Sequence, residues 1–86
     1  MDIDEVIEKY GNVKLHFYRY YKYSFFYKGV ADDGAVIILR YGGDSSEIYT
    51  HEIIIPLEDY MIKYIDEFSE FEIKLDNKII FEHSLY

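Results

Sequence analysis

At 86 residues, with a net charge of −8, no cysteine and a 20% share of aromatic side chains, the chain has room for one hydrophobic core and excludes disulfide frameworks and thiolate metal centres. The negative balance disfavours nonspecific attachment of the whole molecule to nucleic acid or membrane and favours a basic protein partner. The opening Met-Asp-Ile-Asp-Glu lacks the basic and apolar regions of a secretory signal, and the apolar runs at 35–39 and 53–57 are too short to span a bilayer, so a single soluble domain, 1–86, in a reducing cytoplasm is expected.

Residues 2–10 predict a short helix. Ile3, Val6, Ile7 and Tyr10 fall on one stripe. Asp2 suits the N-cap, with Glu5 in the capping-box position, and Gly11 is a natural stop. Residues 13–18 alternate as a half-buried strand, with Val13, Leu15 and Phe17 on one side and Lys14, His16 and Tyr18 on the other. Residues 20–23 carry no turn former; a turn or bulge near Tyr21 and Lys22 is expected all the same. A second strand follows at 24–31. Asp32-Asp33-Gly34 is a hairpin signal, since Asp-Gly supplies the positive φ angles of tight turns. Strand three, 35–41, is β-branched enough to lie centrally with both faces covered.

A loop at 42–46 leads to a fourth strand at 47–55. Pro56 stops it and opens a helix predicted over 57–68, with Leu57, Met61, Tyr64, Ile65 and Phe68 on one side. The end reads as a hairpin turning near 76–78, with Ile79, Phe81, His83 and Leu85 sharing a face. The fold class is therefore α+β: an antiparallel sheet of five to six strands in the order α-β-β-β-β-α-β-β, with two helices packed on it.

Charge is unevenly placed. Lys9, Lys14, Arg19, Lys22 and Lys28 fall between positions 9 and 31 with no acid among them, leaving four cations against 17 acids elsewhere. The basic stretch is also the aromatic one. Lys14, Tyr18, Arg19, Tyr20, Tyr21, Lys22 and Tyr23 form a candidate aromatic–basic surface, with Tyr18 and Tyr20 as its stacking platform and His16 beside them. Sheets that present aromatic rings among cations bind single-stranded nucleic acid, and this is one reading. No ribonucleoprotein-type motif accompanies it.

The other reading is protein binding. Tyrosine is well suited to anchoring an interface, and acids around it steer a basic partner. The acids singled out are Asp32, Asp33, Asp44, Glu47, Glu58, Asp59, Asp66 and Glu67. A small acidic chain without catalytic residues is of the kind found among antitoxins, immunity proteins and phage anti-defence proteins such as anti-CRISPRs, which block a nucleic-acid-binding surface by mimicking phosphate charge. This inhibitor reading is the leading expectation, and a homodimer closed by the aromatic face is its plain counterpart. Exposed tyrosines beside Lys14, Arg19 and Lys22 favour nucleic acid; buried tyrosines with a dominant acidic patch favour the inhibitor.

Nothing points to catalysis. The carboxylate pairs Asp32/Asp33, Glu58/Asp59 and Asp66/Glu67 sit at a turn or on a helix's polar side. The serines lack a nucleophile-elbow context, and Gly42-Gly43 lacks the residues of a phosphate loop. His16, His51 and His83 have no chelate spacing. No cofactor and no metal are expected.

Overall fold

A computed structural model describes residues 1–44, 55–59 and 68–84. The order is α1 (Ile3–Tyr10), β1 (Lys14–Tyr21), β2 (Ser24–Val30), β3 (Val36–Gly42), β4 (Ile55–Pro56), β5 (Phe68–Leu75) and β6 (Lys78–Ser84). Five full strands and the two-residue β4 form one antiparallel sheet in the order β4-β1-β2-β3-β5-β6. The β-rich α+β class is as expected.

The helix starts where its cap was read. Asp2 is extended, and its carboxylate accepts the Glu5 N–H at 2.9 Å, which satisfies one orphan donor. Val6 and Tyr10 are buried and meet the sheet's inner face. There they join Leu15, Phe25, Tyr27, Ala35, Ile37, Leu39, Leu57, Phe71 and Ile73 in one core. Each fully buried Val, Leu or Ile of this set contributes about 1.5–3 kcal/mol relative to exposure. Gly29 lets β1 lie close: a Cβ there would stand 2.7 Å from the Lys14 carbonyl oxygen and 2.6 Å from Leu15 Cδ2.

Three hairpins set the register, by different chemistry. Leu75 pairs with Lys78 across Asp76 and Asn77, both at positive φ (53° and 65°); Asp and Asn tolerate that region. Tyr21 pairs with Ser24 across Lys22 and Tyr23, also at positive φ (49° and 62°). This tight turn lies one residue beyond the expected position and is made from residues that resist the conformation. The Asp32-Asp33-Gly34 hairpin is wider than its sequence implied. Gly34 N–H donates to the Ala31 carbonyl, Ala31 N–H to the Ala35 carbonyl, and of Asp33 and Gly34 only Gly34 has positive φ, 87°.

Bulges correct several face assignments. On β1, Phe17 pairs with Tyr27 and Arg19 with Phe26, so Tyr18 is an extra residue. Beyond it the alternation inverts. Tyr20 is consequently half-buried against the core, with its hydroxyl donating to the Gly43 carbonyl at 3.1 Å; it is not the outer stacking residue the strict alternation implied. On β6, Ile80 is the extra residue between Ile79 and Phe81. Ile79 therefore leaves the face it was expected to share with Phe81 and is 50% exposed.

The second helix is also shorter at its end than predicted. Residues 57–59 are helical, but Phe68 already belongs to β5 and pairs with Tyr41. Of the expected strand 47–55, Ile55 is seen pairing with Leu15; positions 47–54 and 60–67 lie outside the described residues. Pro56 ends β4 at the sheet edge, where its missing N–H costs no ladder bond, and the Leu57 N–H bonds the Val13 carbonyl.

Candidate functional site

The β1 bulge builds the site. Plain alternation would carry Arg19 inward with Phe17, burying a guanidinium, which is costly. The extra residue instead puts Tyr18 and Arg19 side by side on the outer face, opposite Phe26. The Arg19 guanidinium lies 4.6 Å from the Phe26 ring centre, 5.3 Å from Tyr21 and 5.8 Å from Tyr18. Lys22 Nζ lies 5.2 Å from the Tyr21 ring. A cation held by ring faces is stabilised electrostatically by about 0.5–1 kcal/mol per exposed contact. Tyr18 and Phe26 themselves contact at 6.1 Å between ring centres.

These rings are open. Tyr18 is 41% exposed, Tyr21 52% and Tyr23, at the turn, 80%. Lys14 and His16 are exposed further along β1. Of the seven residues read as the aromatic–basic surface, six are on the surface and Tyr20 is not. Phe26, which a purely structural reading of the stretch puts in the core with Phe17 and Phe25, is instead the outer-face floor on which Arg19 rests. An alternation count that allowed for one bulge would have found it.

Among the described residues, four of the acids singled out lie toward one end of the sheet and one at the other. Asp32 and Asp33 sit at the β2–β3 turn, whereas Asp44 follows β3 at its other end, about 23 Å away along a seven-residue strand. Glu58 and Asp59 lie at 57–59, near Gly11, whose carbonyl accepts the Glu58 N–H. Glu47, Asp66 and Glu67 lie outside the described residues.

Asp33 serves the fold. Its carboxylate accepts the Ala35 N–H at 2.9 Å and the Tyr10 hydroxyl at 2.7 Å, with Lys9 Nζ at 3.8 Å. The Ala35 bond first, then the Tyr10 bond, holds its pKa below the ordinary carboxylate value. Burial, and next the Asp33 bond, pushes the Tyr10 phenol up. A depressed carboxylate pKa adds stability above the unfolded-state pKa and withdraws it as pH falls through the folded one. The melting temperature of the wild type should exceed that of Asp33→Asn at neutral pH, with the gap closing in acid. A gap independent of pH would contradict this. The same cluster borders a cleft of about 520 Å³ lined by Lys9, Tyr10, Asn12, Lys14 and Val30 among others. It lies at the opposite end of β2 from the aromatic hairpin tip.

Among the described residues, no three His, Asp or Glu side chains are grouped to hold a metal ion. His16 stands on the outer face paired with Lys28, His83 opposite the buried Phe71, and His51 lies outside the described residues. No described helix is long and apolar enough to cross a membrane. Among the described residues, a small antiparallel sheet has its core on one face and carries an open Tyr–Arg hairpin. No protein family, curated protein or solved structure matches the chain.

Proposed function

We propose that the chain is a non-catalytic, cytoplasmic protein-binding module anchored by Tyr18, Arg19, Tyr21, Lys22 and Tyr23 on the β1–β2 hairpin. The observation that carries this is the Arg19 guanidinium stacked among Phe26, Tyr21 and Tyr18, beside the open ring of Tyr23. Tyrosine and arginine dominate interface hot spots, and rings already packed lose little entropy on binding. The acids elsewhere steer a basic partner at long range, which fits an inhibitor of the antitoxin, immunity or anti-defence kind. The anchoring surface in this reading is the hairpin, since four of the five described acids lie toward the end of the sheet away from it.

Single-stranded nucleic acid is the second reading, favoured by three exposed tyrosines beside Arg19 and Lys22. Against it, Glu70, Glu72 and Glu82 occupy the far half of the same face, so a polyanion could follow only the hairpin. Immobilised protein, challenged with a nuclease-treated extract of the source cells, should retain a protein partner that Arg19→Ala and Tyr21→Ala release. Raising salt should slow association, and the alanine variants should speed dissociation. Retention of labelled single-stranded oligonucleotides at low salt, with no protein retained, would overturn the proposal in favour of nucleic acid.

A further inference from the structure

The outer face carries a charge gradient across the strands. One row runs His16, Lys28, Ile38, Glu72, Glu82 through β1, β2, β3, β5 and β6. The next row toward the hairpin tip runs Arg19, Phe26, Arg40, Glu70 and Ser84. In these two rows His16, Lys28 and Arg19 stand on the β1–β2 half and Glu70, Glu72 and Glu82 on the β5–β6 half, with Ile38 and Arg40 of β3 between them; the row beyond holds Lys74 on β5, beside Glu72. Val30 and Ile79, 60% and 50% exposed, flank the row through Val36. Arg40 and Glu70 satisfy each other at 3.4 Å, and Glu72 meets Lys74 at 3.8 Å. Lys28 and Glu82 enter no ion pair among the described residues.

From this pattern we infer that the outer face docks on a second copy of the chain, face to face, about a two-fold axis parallel to β3. The axis follows from the charges. Rotation about the strand direction exchanges the two halves of the sheet, so Lys28 meets Glu72 of the other copy and His16 meets Glu82. Rotation about the in-plane axis across the strands would set cations on cations. Ile38 lies on the axis and packs against its own counterpart, at the spacing of about 10 Å usual for stacked sheets. Because this rotation preserves strand direction, both hairpin tips project from the same end of the dimer. The row of Arg19 and Phe26 lies inside this contact, facing that of Glu70 and Ser84 in the other copy, so self-association and partner binding at the hairpin compete. The dimer itself needs no other partner, so it is tested separately from hairpin binding.

Sedimentation equilibrium of the purified chain at low salt should show a concentration-dependent dimer that weakens as salt is raised. Lys28→Glu and Glu72→Lys, both half-buried on the outer face, should each weaken self-association at least ten-fold, since each sets like charges together twice. An equimolar mixture of the two variants should restore dimerisation, because both contacts in the mixed pair are again complementary. A wild type that remains monomeric at about 1 mM, a concentration that still detects millimolar affinity, would overturn the inference. So would single variants that associate as the wild type does, or a mixture no better than its components. A monomer that still releases its partner on Arg19→Ala would remove the dimer and leave the hairpin reading standing.

Discussion

Replacing Lys22 by Asn and Tyr23 by Gly should stabilise the domain and weaken partner capture at least ten-fold in the same protein. Both positions have positive φ, 49° and 62°, a conformation that Asn-Gly adopts at little cost and that a bulky side chain resists. Relief of that strain, less the contact of Lys22 with Tyr21, amounts to about 1 kcal/mol. In a domain of this size that is a rise of roughly 4–8 °C in melting temperature. Tyr23 loses no packing, being 80% exposed, and the Gly43 N–H can still bond the residue 23 carbonyl. Removal of Lys22 and the Tyr23 ring should weaken partner retention at least ten-fold, the effect of losing a hot-spot side chain. Backbone strain kept where a cheaper turn exists is the pattern of a functional site. A lower melting temperature, or undiminished capture, would contradict this account of the turn.

Phe25→Ala should have the largest effect on stability. The Phe25 ring is fully buried, with its centre 4.9 Å from Tyr20, 6.1 Å from Phe17 and 6.4 Å from Tyr41. It ties together the inner faces of β1, β2 and β3 beneath the binding hairpin. Deleting such a ring costs about 3–5 kcal/mol, transfer and cavity together. Small domains hold about 5–15 kcal/mol in all, so the variant should melt roughly 15 °C or more below the wild type, as followed by circular dichroism. Phe25→Leu should recover most of the loss. A fall of only a few degrees in the alanine variant would mean that this ring cluster does not hold the hairpin.

The two variants separate what is structural in the aromatic stretch from what is exposed. Residues 14–30 supply both classes, and their types do not distinguish them. Phe25 and Tyr27 are buried, while Tyr18, Tyr21 and Tyr23 are open. The division follows strand direction and bulge position, and the same is true of Tyr20, whose ring turned inward. His83 shows the limit for polar residues: its Nε2 is buried without a hydrogen-bond partner among the described residues, which an alternating pattern could not foretell.

Much of the fold was legible by itself. The N-terminal helix and its Asp2 cap, the antiparallel pairing within the three hairpins, the central place of β3 and the Asp76-Asn77 turn follow from short-range chemistry: cap geometry, period-2 alternation and residues that tolerate positive φ; that β4 pairs with β1 and β3 with β5 does not. The concentration of cations and aromatics between positions 14 and 30 was legible too. Tertiary structure decided what short-range rules do not encode. The bulge at Tyr18 depends on how β1 fits β2, and the turn at Lys22-Tyr23 on where that pairing closes. The placement of Glu72 and Glu82 across from Lys28 depends on strand order. A strand's face is set by its own alternation only until one extra residue inverts it. Here that residue puts Arg19 on the outer face, where Phe26, Tyr21 and Tyr18 surround its guanidinium.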